Sequence, residues 1–194
     1  KLKAPSYINL MKIKTTLINP PQIFSKGQIA AGLTPPLGIA YLASFLLAHD
    51  YPVQIIDALG EDPSQINSFE KGSFLRGLKV SEIIRRIDSD TNLVGISNLF
   101  SFAYPAVEVL CQEIRKAYPE KKIVLGGPHP SALYDEILKN VPEVDFVAIG
   151  EGEESLLGLV NYLDGKLELN ELSGLATRDK SGNIIVLNSS KRIK

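Results

Sequence analysis

The sequence predicts an α/β fold: a doubly wound, flavodoxin- or Rossmann-like five-stranded parallel sheet with a C-terminal β-hairpin appendage. Three observations predict it. Short apolar runs and amphipathic helical stretches alternate five times along the chain. The runs are continuously apolar rather than alternating, as in strands covered by helices on both faces. The 194 residues, 44% apolar and 22% charged, suffice for one sizeable core.

Lys14 to Asn19 (KTTLIN) reads as the first strand and ends at Pro20–Pro21. Pro36 to His49 reads as a helix with Pro in its first turn. Val53 to Asp57 is the second strand. Val80, Ile83, Ile84 and Ile87 follow the i, i+3, i+4, i+7 spacing of a helix. Leu93 to Ser97 is the third strand. Ala103, Ala106, Val107, Leu110, Ile114 and Ala117 make the clearest helical stripe. Lys122 to Gly126 is the fourth strand, Leu133 to Asn140 a short helix, and Asp145 to Ile149 the fifth strand. Leu156, Leu157, Val160 and Leu163 line a fifth helix. Leu175–Arg178 and Asn183–Leu187 flank DKSG as a hairpin. Right-handed crossovers then predict the strand order 2-1-3-4-5. Ser25–Thr34 and Ala58–Lys79 lack periodicity and are expected to be lids or disordered.

Bulk properties exclude several functions. A formal net charge of -1 gives no general pull towards nucleic acid or anionic membrane. The longest apolar stretch, Leu37 to Ala48, is too short to span a bilayer. A single cysteine, Cys111, leaves no intrachain disulfide and no Cys-rich metal site, and a cytoplasmic location fits. No metal-ligand set and no catalytic group stands out.

In such sheets, ligands sit beyond the carboxyl ends of the strands. The loops there are NPPQIF (Asn19–Phe24), SNLFSFAYP (Ser97–Pro105), GGPHPS (Gly126–Ser131) and GEGEES (Gly150–Ser155). They are rich in Gly, Pro, Ser and Asn and poor in Lys and Arg. A large, nearly neutral ligand with many amides suits them better than a polyphosphate. Gly27 to Thr34 mimics a P-loop, but Leu33 replaces its lysine. No dinucleotide fingerprint follows the first strand, although Asp57 ends the second. Gly95 to Leu99 starts like a nucleophile elbow without its second glycine. Glu153 and Glu154 read as first-turn acids favoured by the helix dipole. GGPHPS itself joins two side-chain-free positions to a stiff Pro-His-Pro, which suggests that something approaches the backbone closely.

Taken together, PPLGIAYLASFL, VQIIDA, VGISNLFSFAYPAVEVL, IVLGGPHPS, VDFVAIGEGEESLLGLV and GLATRDKSGNIIVLN resemble the cobalamin-binding N-terminal domain of cobalamin-dependent radical-SAM enzymes. The resemblance runs from about Lys14 to Ile193. It implies a cobalamin-binding domain over residues 1–168, and a hairpin and linker over 169–194 leading towards a radical-SAM barrel. The implied parent is a methyltransferase or related radical enzyme, whose barrel, in this or a separate chain, holds a [4Fe-4S] cluster and S-adenosylmethionine. Gly126, Gly127, Gly150 and Gly152 would wall the groove for the nucleotide tail. Ser97 and Asn98 would hydrogen-bond tail or corrin amides, and Leu99 and Phe100 would pack on the ring. Asn19, Pro20, Leu33 and Pro35 would flank the corrin, and Pro128, His129 and Glu151 would touch its rim. The related mutase-type domains carry D-x-H-x-x-G after the first strand. Pro21 stands where that cobalt-ligating His would be, so binding is expected base-off and without an axial His. The radical-SAM motif C-x-x-x-C-x-x-C is absent from this chain. Two other readings stay open: a cofactor-free interaction domain of the same fold, and a nucleotide-binding domain of a transferase.

Overall fold

The computed structural model describes residues 12–25, 27 and 32–187. In chain order the elements are β1 (Thr15–Asn19), β2 (Gln22–Ser25), α1 (Leu37–Ala48), β3 (Val53–Asp57), α2 (Ala58–Glu61), β4 (Ile66–Ser68), β5 (Ser73–Arg76) and α3 (Val80–Arg86). There follow β6 (Leu93–Ser97), α4 (Tyr104–Ala117), β7 (Lys122–Gly126), α5 (Pro128–Asn140), β8 (Phe146–Ala148), α6 (Gly152–Leu163), β9 (Leu175–Arg178) and β10 (Ile184–Leu187).

The five parallel strands run β3-β1-β6-β7-β8, which is the expected 2-1-3-4-5 order. The strand count differs from expectation. The hairpin is no appendage: β9 pairs antiparallel with β8, β10 pairs with β9, and the sheet has seven strands. The reason is burial. Leu175 and Ala176 are fully buried and Leu187 nearly so, and this apolar surface covers what would otherwise be an open strand edge.

Each face of the sheet has its own core. Leu17, Leu93, Val124, Phe146 and Ala148 pack with α1 and α6 on one face. Ile18, Val94, Ile96, Ile123, Leu125 and Val147 pack with α3, α4 and α5 on the other. Tyr51 ties α1 to α6. Its buried hydroxyl shares its one proton between Asn161 Oδ1 (2.7 Å) and Asp164 Oδ2 (3.0 Å) and accepts from Lys166 Nζ (2.8 Å). Tyr51→Phe is expected to cost about 1 kcal/mol, read as a lower urea midpoint at unchanged m. Lys166 first, and Tyr51 after it, hold the Asp164 carboxyl below the usual carboxylate range. Its folded pKa lies below its unfolded one. This stabilisation is therefore present above roughly pH 4 and drains away as pH falls through the folded value.

The segment Ala58–Lys79, expected to be a lid or disordered, is ordered. It contributes β4 and β5 to a three-stranded antiparallel sheet, β2-β5-β4, in which Phe24 stacks on Phe74 at 5.6 Å. Alternate apolar residues on such short strands are too few to register as a period. Half of the other aperiodic stretch, Ser25–Thr34, lies outside the described residues. Among the described residues no helix is long and apolar enough to cross a membrane.

Candidate functional site

The carboxyl ends of β1, β6, β7 and β8 meet α1 and α6 around a groove of about 230 Å³. The sheet supplies the floor: Leu17, Gly95, Ile96, Val124, Gly126 and Ala148. The walls are Gly38, Ile39 and Leu42 of α1, and Gly152, Glu153 and Leu156 of α6. Ser97, Leu99, Gly127, Gly150 and Glu151 of the loops complete the lining.

The depth of the groove follows from two adjacent glycines with different jobs. Gly126 continues β7, opposite Ser97 of β6. A Cβ built there would meet only Ala148 Cβ, at 3.9 Å, so its missing side chain is open space in the groove. Gly127 has φ 108° and ψ 174°, a region essentially reserved for glycine. A Cβ there would come within 2.5 Å of the Asn98 carbonyl oxygen. Gly127 is thus the turn that aims α5, while Gly126 is the wall.

The groove is mostly apolar, with a few polar groups at its mouth. Among the described residues none hydrogen-bonds the Ser97 hydroxyl. Leu99 is exposed, and beside it the exposed rings of Phe100 and Phe102 stack at 5.4 Å.

The B12 binding domain family matches residues 29–160, well over half of the chain. The chain belongs to this family. Among solved structures, the B12 binding domain is similar to the cobalamin-dependent S-adenosylmethionine radical enzyme OxsB with aqua-cobalamin and S-adenosylmethionine bound, with TM-score 0.70 and 20% identity over 95% of this chain and 23% of that one. It is also similar to the radical S-adenosylmethionine methyltransferase TsrM of Kitasatospora setae with cobalamin and a [4Fe-4S] cluster bound, with TM-score 0.66 and 16% identity over 93% of this chain and 30% of that one. At these identities the likeness shows the fold. In sequence it is 30% identical, over 88% of its length, to the cytidylyl-2-hydroxyethylphosphonate methyltransferase of Streptomyces wedmorensis. It is 33% identical, over 87% of its length, to an uncharacterized methyltransferase of Pyrococcus horikoshii. It spans 32% and 34% of the lengths of these two relatives.

Sites for whole drug-sized ligands run from roughly 300 to 1,000 Å³. The groove, about 230 Å³, is smaller than that. Of the residues singled out in the sequence, Ser97, Leu99, Gly126, Gly127, Gly150, Glu151 and Gly152 line this groove. The others do not. Asn19 donates from Nδ2 to Asp57 Oδ1 at 2.7 Å, across the ends of β1 and β3. Pro20 is half-buried beyond β1, and Leu33 and Pro35 are exposed before α1. Phe100 is exposed beside the mouth. Asn98 is buried, and among the described residues neither atom of its side-chain amide has a partner. Pro128 opens α5.

His129 lies on the α4–α5 side of the sheet. It is 7% exposed, its ring packs 4.6 Å from that of Tyr104, and burial lowers its pKa despite the nearby Glu136. His49 caps the far end of α1, its Nδ1 2.8 Å from the Phe45 carbonyl. Neither histidine in the chain faces the groove. Cys111 is fully buried in α4, and burial pushes its thiol well above the usual range.

Sequence reasoning missed Gly38, Ile39, Leu42 and Leu156, taken as core or left unremarked. It also missed Gly95 and Ala148. The signal for the last two was present: Gly95, Gly126 and Ala148 are small residues on one face of three adjacent strands.

Proposed function

We propose that this chain holds cobalamin by its nucleotide tail, base-off and without an axial histidine, as the cofactor module of a larger radical-SAM enzyme. The observation that carries this reading is the groove itself, floored by Gly95, Gly126 and Ala148 between the sheet and helices α1 and α6. Leu17, Ile39, Leu42, Val124 and Leu156 would pack on the tail, and Ser97 would hydrogen-bond its polar part. Leu99, Phe100, Pro20, Leu33 and Pro35 would face the corrin from the rim. Bound cobalamin supplies a cobalt centre able to carry a methyl group. This chain's part is to bury the tail, exclude water from it and leave the lower cobalt face free of imidazole. Pro21 after β1 and the remote positions of His49 and His129 support that last point.

The similarity to methyltransferases and to radical S-adenosylmethionine enzymes supports a methyltransferase or related radical enzyme as the parent. A radical-SAM barrel would bind the [4Fe-4S] cluster and S-adenosylmethionine and close over the rim. The exposed Leu37, Tyr41, Phe100 and Phe102 suit such a covering domain. The single buried thiol suits the cytoplasm.

The test is direct. The protein is mixed with hydroxocobalamin, desalted and its visible spectrum recorded. Retained colour with a base-off spectrum is the expected result. A folded protein that retains no colour would overturn the proposal in favour of a cofactor-free domain, and stabilisation by a nucleotide would favour the nucleotide-binding alternative.

A further inference from the structure

We propose that His129 and Ser131 are positioning residues that lock the three groove-forming loops into one unit. This inference rests on the cobalamin reading, but the lock is visible in the protein alone. Neither side chain lines the groove. Each instead reaches out of the 126–131 segment to a neighbouring loop that does.

On one side, His129 Nδ1 lies 2.9 Å from Ser101 Oγ. Ser101 belongs to the loop that carries Ser97 and Leu99, and the Asn98 N–H donates to the Gly126 carbonyl at 2.8 Å. On the other side, Ser131 Oγ donates to the Ala148 carbonyl at 3.1 Å and accepts from the Gly150 N–H at 3.2 Å. Ala148 and Gly150 are groove residues of the β8–α6 loop.

Pro128 and Pro130 restrict φ on either side of His129, so the ring is delivered at a fixed angle. Packing against Tyr104 then holds it. Two cross-loop hydrogen bonds from one stiff segment hold the groove open without placing a side chain in the way. The arrangement gives GGPHPS a division of labour: glycines make the space, and the histidine and serine keep its walls in register.

Ser101 is solvent-exposed, so Ser101→Ala cuts the first link with little effect on folding. Two readouts are compared in the full chain. The first is the rate at which hydroxocobalamin is lost. The second is amide hydrogen exchange of the cofactor-free protein at Asn98 and Gly150. Ser101→Ala should speed cofactor loss about ten-fold and raise Asn98 exchange by a similar factor. Ser131→Ala should do the same for cofactor loss and for Gly150 exchange. His129→Leu should match Ser101→Ala, and the two together should be no worse than either alone. His129→Asn, whose amide can replace Nδ1 towards Ser101, should restore retention.

Unchanged exchange in Ser101→Ala and Ser131→Ala overturns the lock. Faster exchange with normal retention overturns its role in cofactor binding, and so do additive effects of Ser101→Ala and His129→Leu. If the unaltered chain retains no hydroxocobalamin, the cobalamin reading fails, and the exchange rates still decide whether the lock exists.

Discussion

Gly126→Leu is expected to abolish cobalamin retention while leaving the protein folded and at least as stable. The first Cβ fits, because Ala148 Cβ at 3.9 Å is an ordinary contact. Gly126 is absent from the positive-φ positions, so a branched side chain meets no backbone strain. The remaining carbons of leucine must go into the groove, among Leu17, Val124 and Leu156. They fill space that is apolar and otherwise unfilled by protein, which stabilises rather than strains a core. The same carbons occupy the volume the tail needs. Binding should fall by at least two orders of magnitude, measured by hydroxocobalamin titration, with an unchanged or raised Tm. Gly126→Ala is the matched control, expected to retain the cofactor. Normal retention by Gly126→Leu would mean that the groove is not where the tail goes.

The sheet order was legible in the sequence because buried parallel strands leave continuous apolar runs, and LVGIS and KIVLG are such runs. The hairpin's membership of the sheet was not. Leu175–Arg178 and Ile184–Leu187 announce a hairpin through the turn between them, but nothing local tells whether its edge pairs with β8 or stands free. Lys121 illustrates a similar limit. In the sequence it is one of two lysines opening a strand. In the structure it is 2% exposed, its ammonium donating to the carbonyls of Ser89 (2.9 Å) and Thr91 (2.7 Å) and lying 4.8 Å from the Tyr118 ring centroid. Burial of a charge depends on partners some thirty residues away, which no local pattern encodes.

The site divides in the same way. GGPHPS was legible as a place of close backbone approach. Which atom approaches which glycine was not. The sequence reading treats Gly126 and Gly127 as one wall. The structure separates them. Gly126 faces the groove, whereas Gly127 faces the protein's own Asn98 carbonyl. Likewise His129 reads as a corrin contact until the turn at Gly127 sends it to the opposite side of the sheet.

Gly127→Ala is therefore expected to damage the protein itself, and the cofactor site only as a consequence. Its φ of 108° with ψ 174° is open to glycine and costs other residues about 1–3 kcal/mol. Relaxing that strain would rotate Pro128 and His129, and with them the start of α5. The added methyl also meets the Asn98 oxygen at 2.5 Å, a contact with backbone that no side-chain rotation relieves. Asn98 cannot retreat easily, because its N–H is bonded to Gly126 and its side chain is buried. Strain and clash add, so Tm of the cofactor-free protein should fall by several degrees or more. The contrast with its neighbour is the discriminating result: a methyl at 126 tolerated, the same methyl at 127 costly before any ligand is present. Equal melting temperatures for Gly126→Ala and Gly127→Ala would show that Gly127 is not the strained turn on which the groove is built.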